Sequence, residues 1–110
     1  VEIFLVAKLN ELIHQPVRLK IMAALISMED ETQLEFTYLR DMLGLTDGNL
    51  GAHLRKLEEA GYVQLVKTFV ARKPRTYVAP TIEGRQAFAE HVAALEAIVY
   101  TSDDQGKGDG

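Results

Sequence analysis

At 110 residues, 47% of them hydrophobic and 25% charged, the chain has the length and composition of one packed domain. Cysteine is absent, which excludes disulfides, thiolate metal sites and thiol nucleophiles and fits the reducing cytoplasm expected for it. The net charge of −4 is unevenly laid: residues 1–45 hold four Lys/Arg against seven Asp/Glu, residues 46–80 six against three, and residues 81–110 two against six, so any positive face belongs to the middle of the chain.

Residues 2–13 predict a first helix, because Leu5, Leu9 and Leu12 recur at i, i+4 and i+7 while Phe4, Val6 and Ile13 widen the apolar sector beyond one face. Such a helix fits packing on its own domain and on a second subunit, or packing within the domain alone. Lys8, Asn10 and Glu11 interrupt the apolar opening far short of the roughly 18 residues a membrane span requires, and no membrane partner is expected. Pro16 suits the first turn of a second helix, continued over 17–28 by Leu19, Ile21, Met22, Leu25 and Ile26, and Glu29, Asp30 and Glu31 follow as a surface loop. Leu34, Glu35 and Phe36 read as a short extended piece, after which Thr37 is expected to cap a helix that runs to Leu43 and is closed by Gly44.

Only Leu45 separates Gly44 from Thr46, which can cap a fourth helix, so two helices are joined by the short connection of a helix-turn-helix. In that fourth helix Leu50, Leu54 and Leu57 form a buried stripe, and Gly61 supplies a C-terminal residue tolerant of positive φ. The remaining face carries Gly48, Asn49, Ala52, Arg55 and Lys56: small, polar and basic, as a helix entering a DNA major groove needs. The period then changes. Residues 62–69 are β-rich, with Val63 and Leu65 on one side and Gln64 on the other, residues 70–75 read as a basic turn, and residues 76–79 are β-rich again. Pro80 and Thr81 stop the strand and start a final helix striped by Ile82, Phe88, Val92, Leu95 and Val99, and residues 101–110 read as a disordered Gly- and Asp-rich tail.

The fold class expected is mainly α with a small antiparallel β wing, in the order of a winged helix-turn-helix over residues 1–100. Thr46-Asp47-Gly48-Asn49-Leu50, His53-Leu54, the run from Lys56 to Val63, Arg72-Lys73-Pro74-Arg75-Thr76 and Thr81 followed by Gly84-Arg85 resemble the small prokaryotic winged-helix transcriptional regulators akin to the MarR and ArsR families, over roughly residues 15–95. The resemblance implies a homodimer on double-stranded DNA, with residues 46–60 as recognition helix in the major groove and residues 69–76 as a wing on the adjacent backbone or minor groove. It also implies dimerisation through residues 1–14 and 81–100, offering Phe4, Leu5, Leu9, Leu12, Phe88, Val92, Leu95 and Val99. The chain departs from the metal-sensing ArsR pattern in lacking a cysteine pair, and it names no effector.

Contacts to DNA are expected from position. Asn49, near the helix start, either pairs its amide with adenine or serves local capping; Thr46 is a cap first and a phosphate contact second. Asp47 suits the helix dipole but repels phosphate, so it either accepts from cytosine or only stabilises the helix. Gly48, Gly51 and Ala52 admit close approach, since glycine in a helix costs about 0.5 to 1 kcal/mol against alanine and needs a compensating reason. Arg55 and Lys56 are phosphate contacts against the alternative of solvated surface, and His53, at the edge of the leucine stripe, either bonds within the domain or touches DNA. Arg72, Lys73 and Arg75 form the wing contact, assisted by Lys67. His14, His53 and His91 lie on separate elements without ligand spacing, so no metal or other cofactor is expected. No nucleophilic set or phosphate-binding glycine loop suggests an enzyme, and the competing reading is a winged-helix module for protein contact without DNA binding.

Overall fold

The computed structural model describes residues 9–27 and 33–108, with side chains as far as Tyr100. Helix α1 is a single turn, Glu11–His14, started by Asn10, whose side chain accepts from the Ile13 N–H at 3.0 Å. This differs from a continuous helix over 2–13: residues 9 and 10 are not helical, because the Asn10 N–H is directed instead to His91 Nδ1 at 2.9 Å. Of the expected helix, Phe4 and Leu5 lie outside the described residues. Gln15 stays extended, as the residue before a proline must, and its side chain caps helix α2, Pro16–Ile26, by accepting from the Arg18 N–H at 2.9 Å.

Strand β1, Leu34–Glu35, leads directly into helix α3, Phe36–Leu43. Thr37 is not the cap expected of it. It is the second residue of the helix, and its hydroxyl donates back to the Glu35 carboxylate, because the chain turns helical as soon as β1 ends. Helix α4, Asp47–Glu59, is followed by strands β2, Val63–Val70, and β3, Lys73–Pro80, and by helix α5, Ile82–Gly108. The three strands form an antiparallel sheet in the order β1-β3-β2.

The core gathers Ile13, Ile21, Met22, Leu25, Leu34, Leu39, Leu50, Leu54, Leu57, Val63 and Val78. The α4 stripe Leu50, Leu54 and Leu57 is fully buried, each contributing about 1.5 to 3 kcal/mol by removal from water. α5 is anchored on this core through Gly84, Ala87, Phe88, His91 and Ala94, spaced three or four apart along one face. At its start the Thr81 hydroxyl accepts from the Gly84 N–H at 2.9 Å and donates to Gly61 O at 2.5 Å. Gly84 lies so close to the Tyr62 backbone that a Cβ there would overlap the Tyr62 carbonyl oxygen. The helix runs on to Gly108, where composition predicted a disordered tail; no proline interrupts it and no glycine occurs between Gly84 and Gly106, so nothing local ends the propagation. Ile82, placed in the apolar stripe by sequence, is 79% exposed, since Thr81 caps the helix and Ile82 begins it on the outer side.

Candidate nucleic-acid interface

The two helices of the helix-turn-helix meet at a tight corner. Gly44 adopts the left-handed conformation at φ 66°, and the N–H groups of Gly44 and Leu45 satisfy the Asp41 and Arg40 carbonyls at 3.2 and 3.0 Å. Thr46 is extended and its Oγ1 accepts from the Asn49 N–H at 3.1 Å, a cap of about 1 kcal/mol. The Asn49 backbone is therefore occupied by the cap, while its side-chain amide is exposed without a hydrogen bond among the described residues. Thr46, Asp47, Gly48, Asn49, Ala52, Arg55 and Lys56 are all exposed, with Gly48, Ala52, Arg55 and Lys56 on the side of α4 away from its buried leucines, and Gly51 is half-buried.

On α4, two of the expected contacts, Asp47 and His53, have side-chain partners within the protein. Asp47 accepts from Arg40 at 2.8 Å, and Arg40 also reaches Asp41 at 2.9 Å. The Asp41 hydrogen bond first, and the Asp47 bond second, raise the Arg40 pKa and keep it charged. Asp47 is thus an ion-paired group that ties α3 to α4. His53 is half-buried with Nδ1 3.2 Å from the Arg18 guanidinium, while Arg18 Nε donates to Leu12 O at 2.5 Å. Burial first, then Arg18 and Lys56, push the His53 pKa down, so the ring is a neutral acceptor that braces α4 on α2, the bond within the domain that is one of its two expected roles.

The wing differs from its expected outline. Its turn is only Ala71 and Arg72, at φ 51° and 68°, and β2 and β3 remain paired to Val70 and Lys73. Lys73, Pro74 and Arg75 are strand residues and not part of a loop, because a two-residue turn of this hand matches the twist of the strands it joins. Alternation then divides the basic residues. Lys67 and Phe69, opposite Thr76 and Pro74, share the face of Val63, Leu65 and Val78, whereas Lys73 and Arg75 lie on the other with Val70 and Tyr77. Arg75 bonds the Glu35 carboxylate of β1 at 2.5 Å. The hydrogen bond from Thr37, and after it that from Arg75, lower the Glu35 pKa. A cleft of about 430 Å³ lies at this joint, lined by residues 35–37 of the helix-turn-helix and 73–76 of the wing. Lys67, Arg72 and Lys73 are exposed and have no acidic partner among the described residues.

Leu12 and Phe88, expected at a dimer contact, pack on the protein's own core. Leu9, Val92 and Leu95 are half-buried, and Val99 is 59% exposed. Sequence reasoning missed Arg18, Arg40 and Glu35, for which no local spacing signals a partner. Among the described residues, no helix is long and apolar enough to cross a membrane.

Residues 17–99 match the model of a family described as a winged helix DNA-binding domain. An uncharacterized protein of Methanocaldococcus jannaschii is 43% identical over 76 residues, covering 69% of this chain and 79% of that protein. The solved structure of a transcriptional regulator homologue from Pyrococcus horikoshii OT3 superposes with a TM-score of 0.81 at 31% identity, over 94% of this chain and 99% of that one. The heme sensor protein PefR from Streptococcus agalactiae, solved with heme, shares the fold at a TM-score of 0.69 and 14% identity, over 92% of this chain and 66% of its own.

Proposed function

Because the chain belongs to the winged helix DNA-binding domain family, we propose that it is a homodimeric, sequence-specific regulator of transcription, with residues 46–60 in the major groove and the wing, residues 69–76, on the adjacent backbone or minor groove. The observation that carries this reading is the α4 surface: a helix locked from beneath by Leu50, Leu54 and Leu57 and capped by Thr46, with Asn49, Ala52, Arg55 and Lys56 free on the outside. A rigid helix with a small, polar and cationic outer face suits base-edge readout near its start and phosphate contact further along. The similar Pyrococcus protein is described as a transcriptional regulator homologue, which supports the regulatory role. The reading assigns no catalytic residue and places the protein in the cytoplasm.

The dimer is supported by α5. Beyond Ala94 none of its described side chains is buried, and Val99 and Tyr100 are 59% and 61% exposed. An unsupported helical extension of this length is marginal in water, so a second copy covering it accounts for its persistence. The test is gel-shift titration against genomic fragments at two salt concentrations. Binding that weakens steeply with salt and selects particular fragments is expected; no binding at either salt overturns the reading in favour of a protein-contact module.

A further inference from the structure

Phe69 leaves 73% of its surface in water near the wing tip, outside the core cluster. Its cross-strand neighbour Pro74 is exposed as well, so the two form an apolar point on one face of the hairpin. Three cations lie near that point. Lys67 precedes Phe69 by one pleat on the same face, Arg72 occupies the turn, and Lys73 opens the returning strand on the opposite face, all exposed and without acidic partners among the described residues. Arg75, one pleat further back, is taken up by Glu35, so the unpaired charge is concentrated at the tip.

An apolar ring flanked by free cations at the tip of a hairpin is matched by a surface that is anionic outside and apolar within. A duplex minor groove has both properties, phosphates on its rims and stacked bases at its floor. The hairpin has the reach. Phe69 lies four residues beyond Leu65, on the order of 13 Å at about 3.3 Å per residue, against a groove about 7.5 Å deep. The turn is also held with two non-glycine residues at positive φ, which keeps the Arg72 side chain where glycine would be the unstrained choice.

We propose that Phe69 is an apolar wedge that enters the minor groove and partly unstacks a base step, with Lys67, Arg72 and Lys73 on the flanking phosphates; this rests on the DNA-binding reading above. The wing then contributes sequence preference without hydrogen bonds, favouring easily opened pyrimidine–purine steps under its tip. The test uses the full chain and a DNA fragment selected for binding, with 2-aminopurine placed at successive steps under the wing. Wild type should raise the fluorescence at one step. Phe69→Ala should abolish that rise and weaken binding by about tenfold or more, the scale of base–aromatic stacking, with an unchanged salt dependence because no charge is lost. Phe69→Leu should retain most of the rise. The side chain is exposed, so both variants should keep the wild-type melting temperature, and Phe69→Gln repeats the test with a longer polar side chain. Unchanged affinity and fluorescence in Phe69→Ala overturn the wedge while the DNA-binding reading stands. Loss of the dimer in that variant also overturns it, by placing the ring in a protein contact. A wild-type chain without salt-dependent binding overturns the parent reading, and the wedge with it.

Discussion

Single residues set the stability of this domain where two backbones or two rings meet. Gly84 is required by the approach of α5 to Tyr62, so Gly84→Ala should destabilise by about 2 kcal/mol or more, read as a lower urea midpoint at unchanged slope. His91 is fully buried, and since Nδ1 accepts from the Asn10 N–H, its proton sits on Nε2, which has no partner among the described residues. Burial first, and the His14 ring second, hold its pKa below the ordinary value. The unfolded chain takes up a proton near the usual pH of about 6.5, so between there and the depressed native pKa the unfolded state binds more protons. Stability should therefore fall as pH drops through that window and level off below it, with His53 acting in the same direction. The expected outcome is a lower melting temperature at about pH 5.5 than at about pH 7.5, and a smaller drop in His91→Gln, whose side-chain oxygen can still accept from Asn10.

At the scale of elements, the question is which charges are free to meet DNA. In the wing, Arg72 and Lys73 are unpaired and Arg75 is bonded to β1. Arg72→Gln with Lys73→Gln should lower the salt slope of DNA binding by about two per protomer, since each lost phosphate contact removes about one. Arg75→Gln should change the slope less and cost up to about 1 kcal/mol of stability, the range of an exposed ion pair, as the wing loses its tie to Glu35. Salt-dependent binding and chemical denaturation on the same variants separate the two effects. At the helix-turn-helix corner, Asp47→Asn removes a carboxylate from the start of α4, the end proposed to face DNA, and releases Arg40, which keeps Asp41. Binding should tighten with a steeper salt slope while stability changes by less than about 1 kcal/mol; weaker binding would show that Asp47 itself reads a base.

At the scale of the whole molecule, the net charge of −4 coexists with a basic stretch over residues 46–80, so on the DNA-binding proposal the acidic flanks should limit unspecific contact while α4 and the wing supply the phosphate attraction. The second copy is expected on α5, whose Val99 and Tyr100 are exposed, while Leu12 and Phe88 are partly buried against the protein's own core. Val99→Asp should shift the protein from dimer to monomer by size-exclusion chromatography with light scattering, and weaken DNA binding with it. A monomeric wild type at micromolar concentration would count against the dimer. In the dimer, two recognition helices about 34 to 36 Å apart require a near-palindromic site with that half-site spacing.

What the sequence determined alone is what depends on neighbours a few positions apart. The Thr46 and Thr81 caps, the positive-φ glycines Gly44 and Gly61 and the Leu50, Leu54 and Leu57 stripe are all present where local periodicity and capping chemistry put them, and a hairpin follows as expected with a turn shorter than the one expected over 70–75. Tertiary structure decided the rest: that Arg75 belongs to Glu35, Asp47 to Arg40, His53 to Arg18, and that Asn10 stays outside the helix expected to include it and reaches His91. Helix and strand periods are written in short-range spacing, whereas the availability of a charge depends on what lies across from it, and folding brings those partners together from up to 81 residues away.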